Sequence, residues 1–184
     1  MIYAITVAGH PVLRKKAEPI EKSYPQLDVL IKDMFETMEY SDGVGLAAPQ
    51  IGKAIKLFVI DASPIADEET PELVDFQKVF INAKILEESG EEWLFNEGCL
   101  SVPGIREDVS RKSIIKIEYY DENWVKHTDT FDGIRARIIQ HEYDHLQGIL
   151  FTDKLSFLKK KMLKGKITDI SKGKVDVSYK IRLR

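Results

Sequence analysis

The sequence predicts an α+β fold in one domain spanning residues 1–184. Two observations carry that expectation. Segments with strand character gather ahead of one late helix with a buried stripe, an order that suits segregated strands and helices better than a βαβ repeat. At 184 residues, 43% hydrophobic and 31% charged, the chain is long enough to bury one core, and no linker, internal repeat or low-complexity stretch divides it.

The elements follow in order. Met1–Val7 lacks a basic region and stops at Gly9-His10-Pro11 without a small-residue cleavage site, so it does not read as a signal peptide. Leu27, Leu30, Ile31, Met34, Phe35 and Met38 recur at i, i+3, i+4, i+7, i+8 and i+11, which predicts a core-packing helix from about Pro25 to Ser41. Strands are expected at Ile55–Ile60 and Val79–Ile85, with the charged, proline-containing stretch Ser63–Asp75 between them as a surface loop. Ile114–Tyr120 and Trp124–Thr130, separated by Asp121-Glu122-Asn123, read as a hairpin leading into the late helix. Beyond that helix, Leu155, Leu158 and Met162 suggest a second amphipathic helix with Lys159, Lys160, Lys161 and Lys164 on and around its outer side. Lys174–Arg182 then alternates as a strand does, with Val175, Val177, Tyr179 and Ile181 on one face.

Chemistry concentrates in the late helix. Ile134, Ile138, His141 and His145 fall at i, i+4, i+7 and i+11, so both histidines continue the apolar stripe and face inward. Asp132 is the expected N-cap, and Gly148 sits where a helix end favours a residue tolerant of positive φ. Within Gln140-His141-Glu142-Tyr143-Asp144-His145 the two imidazoles stand one turn apart and can reach a single cation while Glu142 points to the flank, the H-E-x-x-H arrangement of metal-dependent hydrolases. The competing reading is a pair of core histidines satisfied by hydrogen bonds; two stacked imidazoles beside a carboxylate favour the metal.

Two side chains fall short of the three protein ligands a catalytic ion usually has. Cys99, the single cysteine, lies in Glu97-Gly98-Cys99-Leu100-Ser101-Val102-Pro103-Gly104, an irregular connection where backbone can approach a ligand. Alone it reads as a small buried hydrophobe, and beside two candidate ligands it becomes the third. A further segment, Gly43-Val44-Gly45-Leu46-Ala47-Ala48-Pro49-Gln50-Ile51-Gly52, lacks the spacing of a phosphate loop. It is either an ordinary turn between helix and strand or a loop presenting Gln50, a neutral donor of the kind that stabilises a developing oxyanion.

In this order and at these separations, GVGLAAPQIG, EGCLS and QHEYDHLQG resemble the three signature motifs of the peptide deformylase family, a resemblance that runs from HPVLRKKA to the end of the HEYDH helix. It implies antiparallel strands packed around a central metal-binding helix carrying HEYDH, and removal of the formyl group from N-formylmethionine at the start of nascent polypeptides with one divalent metal ion. Carried over residue by residue, it makes Cys99, His141 and His145 the metal ligands, Glu142 the acid/base, and Gln50 with the Leu100 backbone N–H the oxyanion donors. It favours iron(II) as the native ion, with zinc, nickel or cobalt as substitutes; donor softness does not choose between iron and zinc. Val44 and Leu100 flank the metal motifs and are expected to line an apolar pocket for the methionine side chain, with Gly45 as a further substrate-site candidate. Arg137, one turn before His141 on the same face, is an expected substrate contact, and Arg106 either meets the peptide backbone or pairs with a surface carboxylate.

Other readings of the same residues stay open at this level. A zincin peptidase would use both histidines but normally takes a Glu or His ligand downstream, and none stands at a familiar spacing. A structural metal module would need a fourth side chain, with His10 and His127 as candidates. A deformylase-like chain without activity is argued against by the intact Glu142 and Gln50. The formal charge of −3 is too small for a nucleic-acid binder overall, and the Lys159–Lys166 cluster is either a solvated helix face or, as the resemblance hints, a contact for ribosomal RNA. No run approaches the roughly 20 apolar residues of a bilayer span. A single thiol suits a reducing cytoplasm, and a monomer acting on formylmethionyl peptides and nascent chains is the expected working form.

Overall fold

Along the computed structural model, which describes residues 1–184, the elements run β1 (Ile5–Thr6), α1 (Leu27–Tyr40), β2 (Gly45–Ala47), β3 (Leu57–Asp61), β4 (Gln77–Gly98), β5 (Arg106–Tyr120), β6 (Lys126–Asp132), α2 (Gly133–Leu146), α3 (Phe157–Ser171) and β7 (Ile181–Arg182). Five strands pair antiparallel in the order β2-β3-β4-β5-β6, while β1 pairs with β7 in parallel. The expected α+β fold is the observed one, and α2, which carries HEYDH, packs against β2, β3, β5 and β6.

β3 shows why the layers assemble this way. Leu57 to Ile60 are all fully buried, and they alternate between two clusters: Leu57 and Val59 join the apolar stripe of α1, Phe58 and Ile60 the residues Ala136, Ile139 and Leu146 of α2. A strand covered on both faces reads as a continuous apolar run. On the α2 side, Phe58 stacks on Phe80 at 4.6 Å and Phe80 meets Tyr119 at 4.4 Å, tying β3, β4 and β5 together. Each such pair contributes about 0.5–1.5 kcal/mol beyond its buried area.

The helix expected from Pro25 to Ser41 is α1, which buries Leu27, Leu30, Ile31, Met34 and Met38 and begins only after Gln26 takes a left-handed φ of 53°. The expected hairpin is β5–β6, with the Asp121 carboxylate accepting from the Asn123 and Val125 N–H groups in its turn.

Three expectations are corrected, and a fourth, the Ser63–Asp75 loop, is borne out with one addition. The strand read as Val79–Ile85 continues to Gly98: past Ile85, β4 and β5 form a two-stranded ribbon with register shifts near Ile81, Ile85 and Ser89. The β4 strand of that ribbon is largely exposed on both faces from Leu86 to Asn96, so its sequence lacks the apolar alternation of a half-buried strand, and its irregularities let it bend. Ser63–Asp75 has no strand and only two short 3₁₀ turns, as a loop should, but Leu73 is buried and the segment borders the cleft described below. On α3 the apolar stripe lies elsewhere: Leu158 is 66% and Met162 72% exposed, while Leu163 and Ile170 are buried. Leu155, buried, lies outside the helix, so a stripe drawn through it points α3 the wrong way. Finally, only Ile181–Arg182 of Lys174–Arg182 enters a ladder, although Val175, Val177, Tyr179 and Ile181 do share the half-buried side.

Candidate metal centre

α2 presents His141, Glu142 and His145 from one helix. Asp132 precedes it in extended conformation as its N-cap, though its carboxylate pairs with Arg135 rather than with the helix N–H groups. Gln140 donates to the Lys112 carbonyl at 3.0 Å and so pins the helix to β5. After the helix, Gly148 has φ 73°, and a Cβ there would come within 2.7 Å of the Arg14 carbonyl oxygen.

Cys99 leaves the end of β4 and places its Sγ 3.3 Å from His145 Nε2; the donor atoms of Cys99, His141 and His145 all lie within 4.8 Å of one another. His10 and His127 stand elsewhere. His10 Nδ1 caps the turn at Pro11–Arg14, and His127 pairs with Asp121 at 2.8 Å, so neither supplies the fourth ligand a closed structural site would need.

Beneath the histidines lies a group of charges that sequence reasoning missed. Glu97, buried, accepts four bonds: from Arg111 Nε at 2.6 Å and Arg137 Nη1 at 2.9 Å on one oxygen, and from Arg111 Nη2 and His141 Nδ1, each at 2.9 Å, on the other. Arg111 also donates to Asp144 at 2.7 Å. Burial alone would raise the Glu97 pKa, but the Arg111 and His141 bonds hold it well below the carboxylate range. Glu97 immediately precedes Gly98-Cys99, and Asp144 sits inside HEYDH, but nothing in either segment signals that Arg111, on the distant β5, meets both.

This network orients the His141 ring. With His141 Nδ1 on Glu97, the Nε2 edge is left for an ion, as is usual for metal-bound histidines. Burial opposes charge on both imidazoles; the Cys99 and Glu97 partners nonetheless hold His141 well above its ordinary pKa, whereas burial, His141 and Arg111 hold His145 well below. The residues fit a divalent ion: two imidazoles and a thiol converge, and Glu142 Oε2 alongside is buried without a partner.

Glu142 is 4% exposed, and burial pushes its carboxyl up to about 7 despite the pull of His141. Gly45 explains how it fits: any Cβ at Gly45 would overlap Glu142 Oε1. Gln50, 1% exposed, accepts the Ala47 N–H on Oε1 at 2.7 Å, which aims its Nε2 at Cys99 Sγ (3.6 Å) and Ser101 Oγ (3.3 Å). The GVGLAAPQIG segment is therefore β2 and a 3₁₀ turn rather than a plain connection. The neighbouring Leu100 N–H donates to no backbone acceptor.

These groups open onto a cleft of about 790 Å³ whose walls include Val44, Gly45, Leu100, Ile138 and Arg106. Arg106 stands at the exposed rim, donating to Asn96 Oδ1 at 3.0 Å and the Asn96 carbonyl at 2.7 Å. Arg137 differs from expectation. It reaches the wall but is 2% exposed, with its fork committed to Glu97, Val109 O and Trp93 O and its plane 4.5 Å from the Trp93 ring. The helical face it shares with His141 turns toward the β4–β5 ribbon at that turn.

Two imidazoles and a thiol that converge at an open cleft, beside a buried carboxylate and a neutral amide donor, are a donor set suited to a metal-dependent hydrolase. A family model, polypeptide deformylase, matches residues 2–161. The peptide deformylase of Christiangramia forsetii is 57% identical, aligned over 99% of this chain and 96% of its own; that of Flavobacterium psychrophilum is 52% identical over 100% and 97%. The crystal structure of a peptide deformylase from Legionella pneumophila superposes with a TM-score of 0.81 at 38% identity, covering 95% of this chain and 98% of that one. The chain belongs to the polypeptide deformylase family, and its activity is the metal-dependent removal of the N-formyl group from nascent polypeptides.

Proposed function

We propose that Cys99, His141 and His145 hold one divalent ion, iron(II) in the native enzyme with zinc, nickel or cobalt as substitutes, and that Glu142 is the acid/base of deformylation. The observation that supports this reading best is the convergence of three donor atoms within 4.8 Å beside a buried carboxylate with a free oxygen. When bound, the ion supplies Lewis acidity at the formyl carbonyl and makes water at the open position more acidic. Glu142, buried and with a pKa near neutrality, takes the proton from the attacking water and delivers it to the departing amine. Gln50 Nε2 and the Leu100 N–H donate to the oxyanion, and the Ala47 bond holds Gln50 in the orientation this needs. Val44 and Leu100 line the methionine pocket, Gly45 admits the Glu142 carboxylate, and Arg106 meets the peptide at the rim. Arg137 acts through Glu97 on His141 rather than on substrate.

The enzyme acts as a monomer in the cytoplasm on formylmethionyl peptides and nascent chains. No helix is long and apolar enough to cross a membrane. Exposed Lys160, Lys161 and Lys164 on α3 offer a contact for ribosomal RNA, and salt-sensitive co-sedimentation with ribosomes checks it.

Glu142→Gln tests the central assignment. The variant keeps shape and metal content but cannot carry the proton, so kcat on formyl-methionyl peptide falls by at least about 10²- to 10⁴-fold. Metal-replete Glu142→Gln working within a few-fold of wild type would remove Glu142 from the mechanism.

A further inference from the structure

The segment after α3 lies beyond the residues matched by the family model, yet it returns to the candidate site. Val177 and Tyr179 stand on the cleft wall, and the Tyr179 hydroxyl donates to the Leu100 carbonyl oxygen at 2.9 Å. That carbonyl belongs to the turn Cys99–Val102. Its neighbours are tied by backbone: the Cys99 carbonyl accepts from the Val102 N–H at 2.9 Å, and the Ser101 carbonyl accepts from the Ala8 N–H at 2.8 Å. Three successive carbonyls are held, and the middle one depends on a single side chain.

Tyr179 is itself anchored. β7 pairs with β1, the Lys180 carbonyl accepts from the Ile5 N–H at 2.8 Å, and Val175 and Ile181 pack on the apolar cluster that contains Val102 and Leu163. Burial and the nearby Cys99 push the phenol up to about 12, so it remains a donor at neutral pH. The Leu100 N–H shares a stiff peptide plane with the Cys99 carbonyl, which the Val102 N–H holds, and the next plane, which Tyr179 holds, hinges on the Leu100 α-carbon, so the Tyr179 bond removes the remaining rotation by which the turn could flex and swing that N–H from the cleft. Hydrogen bonds weaken steeply off axis, which makes such aim matter.

We propose that Tyr179 is a positioning residue for deformylation, a phenol from the C-terminal segment that locks the Cys99–Val102 turn and keeps the Leu100 N–H aimed into the cleft. This rests on the reading of that N–H as an oxyanion donor. A donor lost outright typically costs about 10²- to 10³-fold in kcat. Tyr179 acts one step removed, so its hydroxyl is worth about one net hydrogen bond, roughly 3- to 10-fold in kcat.

Tyr179→Phe deletes the hydroxyl and keeps the ring. In metal-replete protein with formyl-methionyl peptide, kcat is expected to fall roughly 3- to 10-fold at nearly constant KM. In ¹⁵N-labelled metal-free protein, where turnover plays no part, the Leu100 amide resonance is expected to shift and its hydrogen exchange to quicken. A kcat within twofold of wild type, a loss expressed wholly in KM, or an unmoved Leu100 amide overturns the proposal. Leu100→Pro separates it from the reading beneath it, because the second position of a turn accepts proline while the N–H is lost. Wild-type kcat in that variant removes the donor and the proposal together, whereas a slow Leu100→Pro beside an unaffected Tyr179→Phe removes the Tyr179 role alone.

Discussion

Replacing Glu97 by Gln is expected to cost more than any other single-atom-scale change near the centre. The wild-type carboxylate accepts four bonds, so an amide in its place keeps one acceptor and turns an NH₂ group toward donors that are themselves buried. The two arginines are not equally harmed. Arg111 keeps the Asp144 carboxylate at 2.7 Å, whereas Arg137 is left without an anion, with only neutral acceptors such as the Val109 and Trp93 carbonyls. One buried cation, not two, loses its counter-charge, and breaking a buried pair in this way costs about 3–5 kcal/mol. His141 also loses the acceptor that orients it, which, with His141 as the proposed ligand, weakens metal binding by about 10- to 100-fold. Urea unfolding of metal-stripped protein reads the first loss free of any contribution from the ion, and competition with a chelator reads the second. The decisive control is Glu97→Gln combined with Arg137→Met, which removes the stranded charge and should recover part of the stability. A loss under about 1 kcal/mol in Glu97→Gln, or strict additivity in the pair, refutes the argument that Glu97 neutralises Arg137.

Three further outcomes follow from single contacts. Gly45→Ala forces a Cβ against the Glu142 carboxylate, so kcat should drop sharply while metal content, measured by elemental analysis, stays near wild type. On α3, Leu163→Ala should destabilise by about 2–5 kcal/mol and Leu158→Ala by about 0.5 kcal/mol or less, since only the first is buried; equal effects in chemical denaturation would restore the helix face that the sequence suggested. At alkaline pH, Tyr179 ionises from its ordinary value of 10 in the unfolded chain but near 12 in the fold, so the folded state binds the extra proton and stability declines as pH rises from 10 toward 12. Tyr179→Phe should flatten that decline, and an unchanged slope would assign it to other groups.

Motif chemistry was legible because it is local. The i, i+4 histidines, the cysteine between glycine and leucine and the glutamine of GVGLAAPQIG each declare a type and a spacing, and the structure brings Cys99, His141, His145, Glu142 and Gln50 to one place. β3 and α1 were readable too, since both bury continuous or periodic apolar residues. What stayed hidden depends on partners distant in the chain. The extension of β4 to Gly98 is held by cross-strand pairing rather than burial, so composition gave no sign of it. Arg137 shows the converse: periodicity placed it correctly on the His141 face, but only the β4–β5 ribbon decides that its charge turns to Glu97. The α3 face differs from the sequence pattern because Leu155 is buried by the turn before the helix and does not belong to its stripe.

The separation of the donors along the chain has a mechanical meaning. Cys99 ends a long ribbon and His145 lies 46 residues later on the buried helix, so an ion shared between them closes a loop of that length much as a covalent cross-link would. By the entropy of loop closure, such a tether could restrict the unfolded chain by up to about 4 kcal/mol. Oxidation of the one thiol would sever the tether as well as the ligand set, releasing the ribbon end that forms one wall of the cleft, so a chemical lesion at a single sulfur becomes a loss of shape where the peptide must lie.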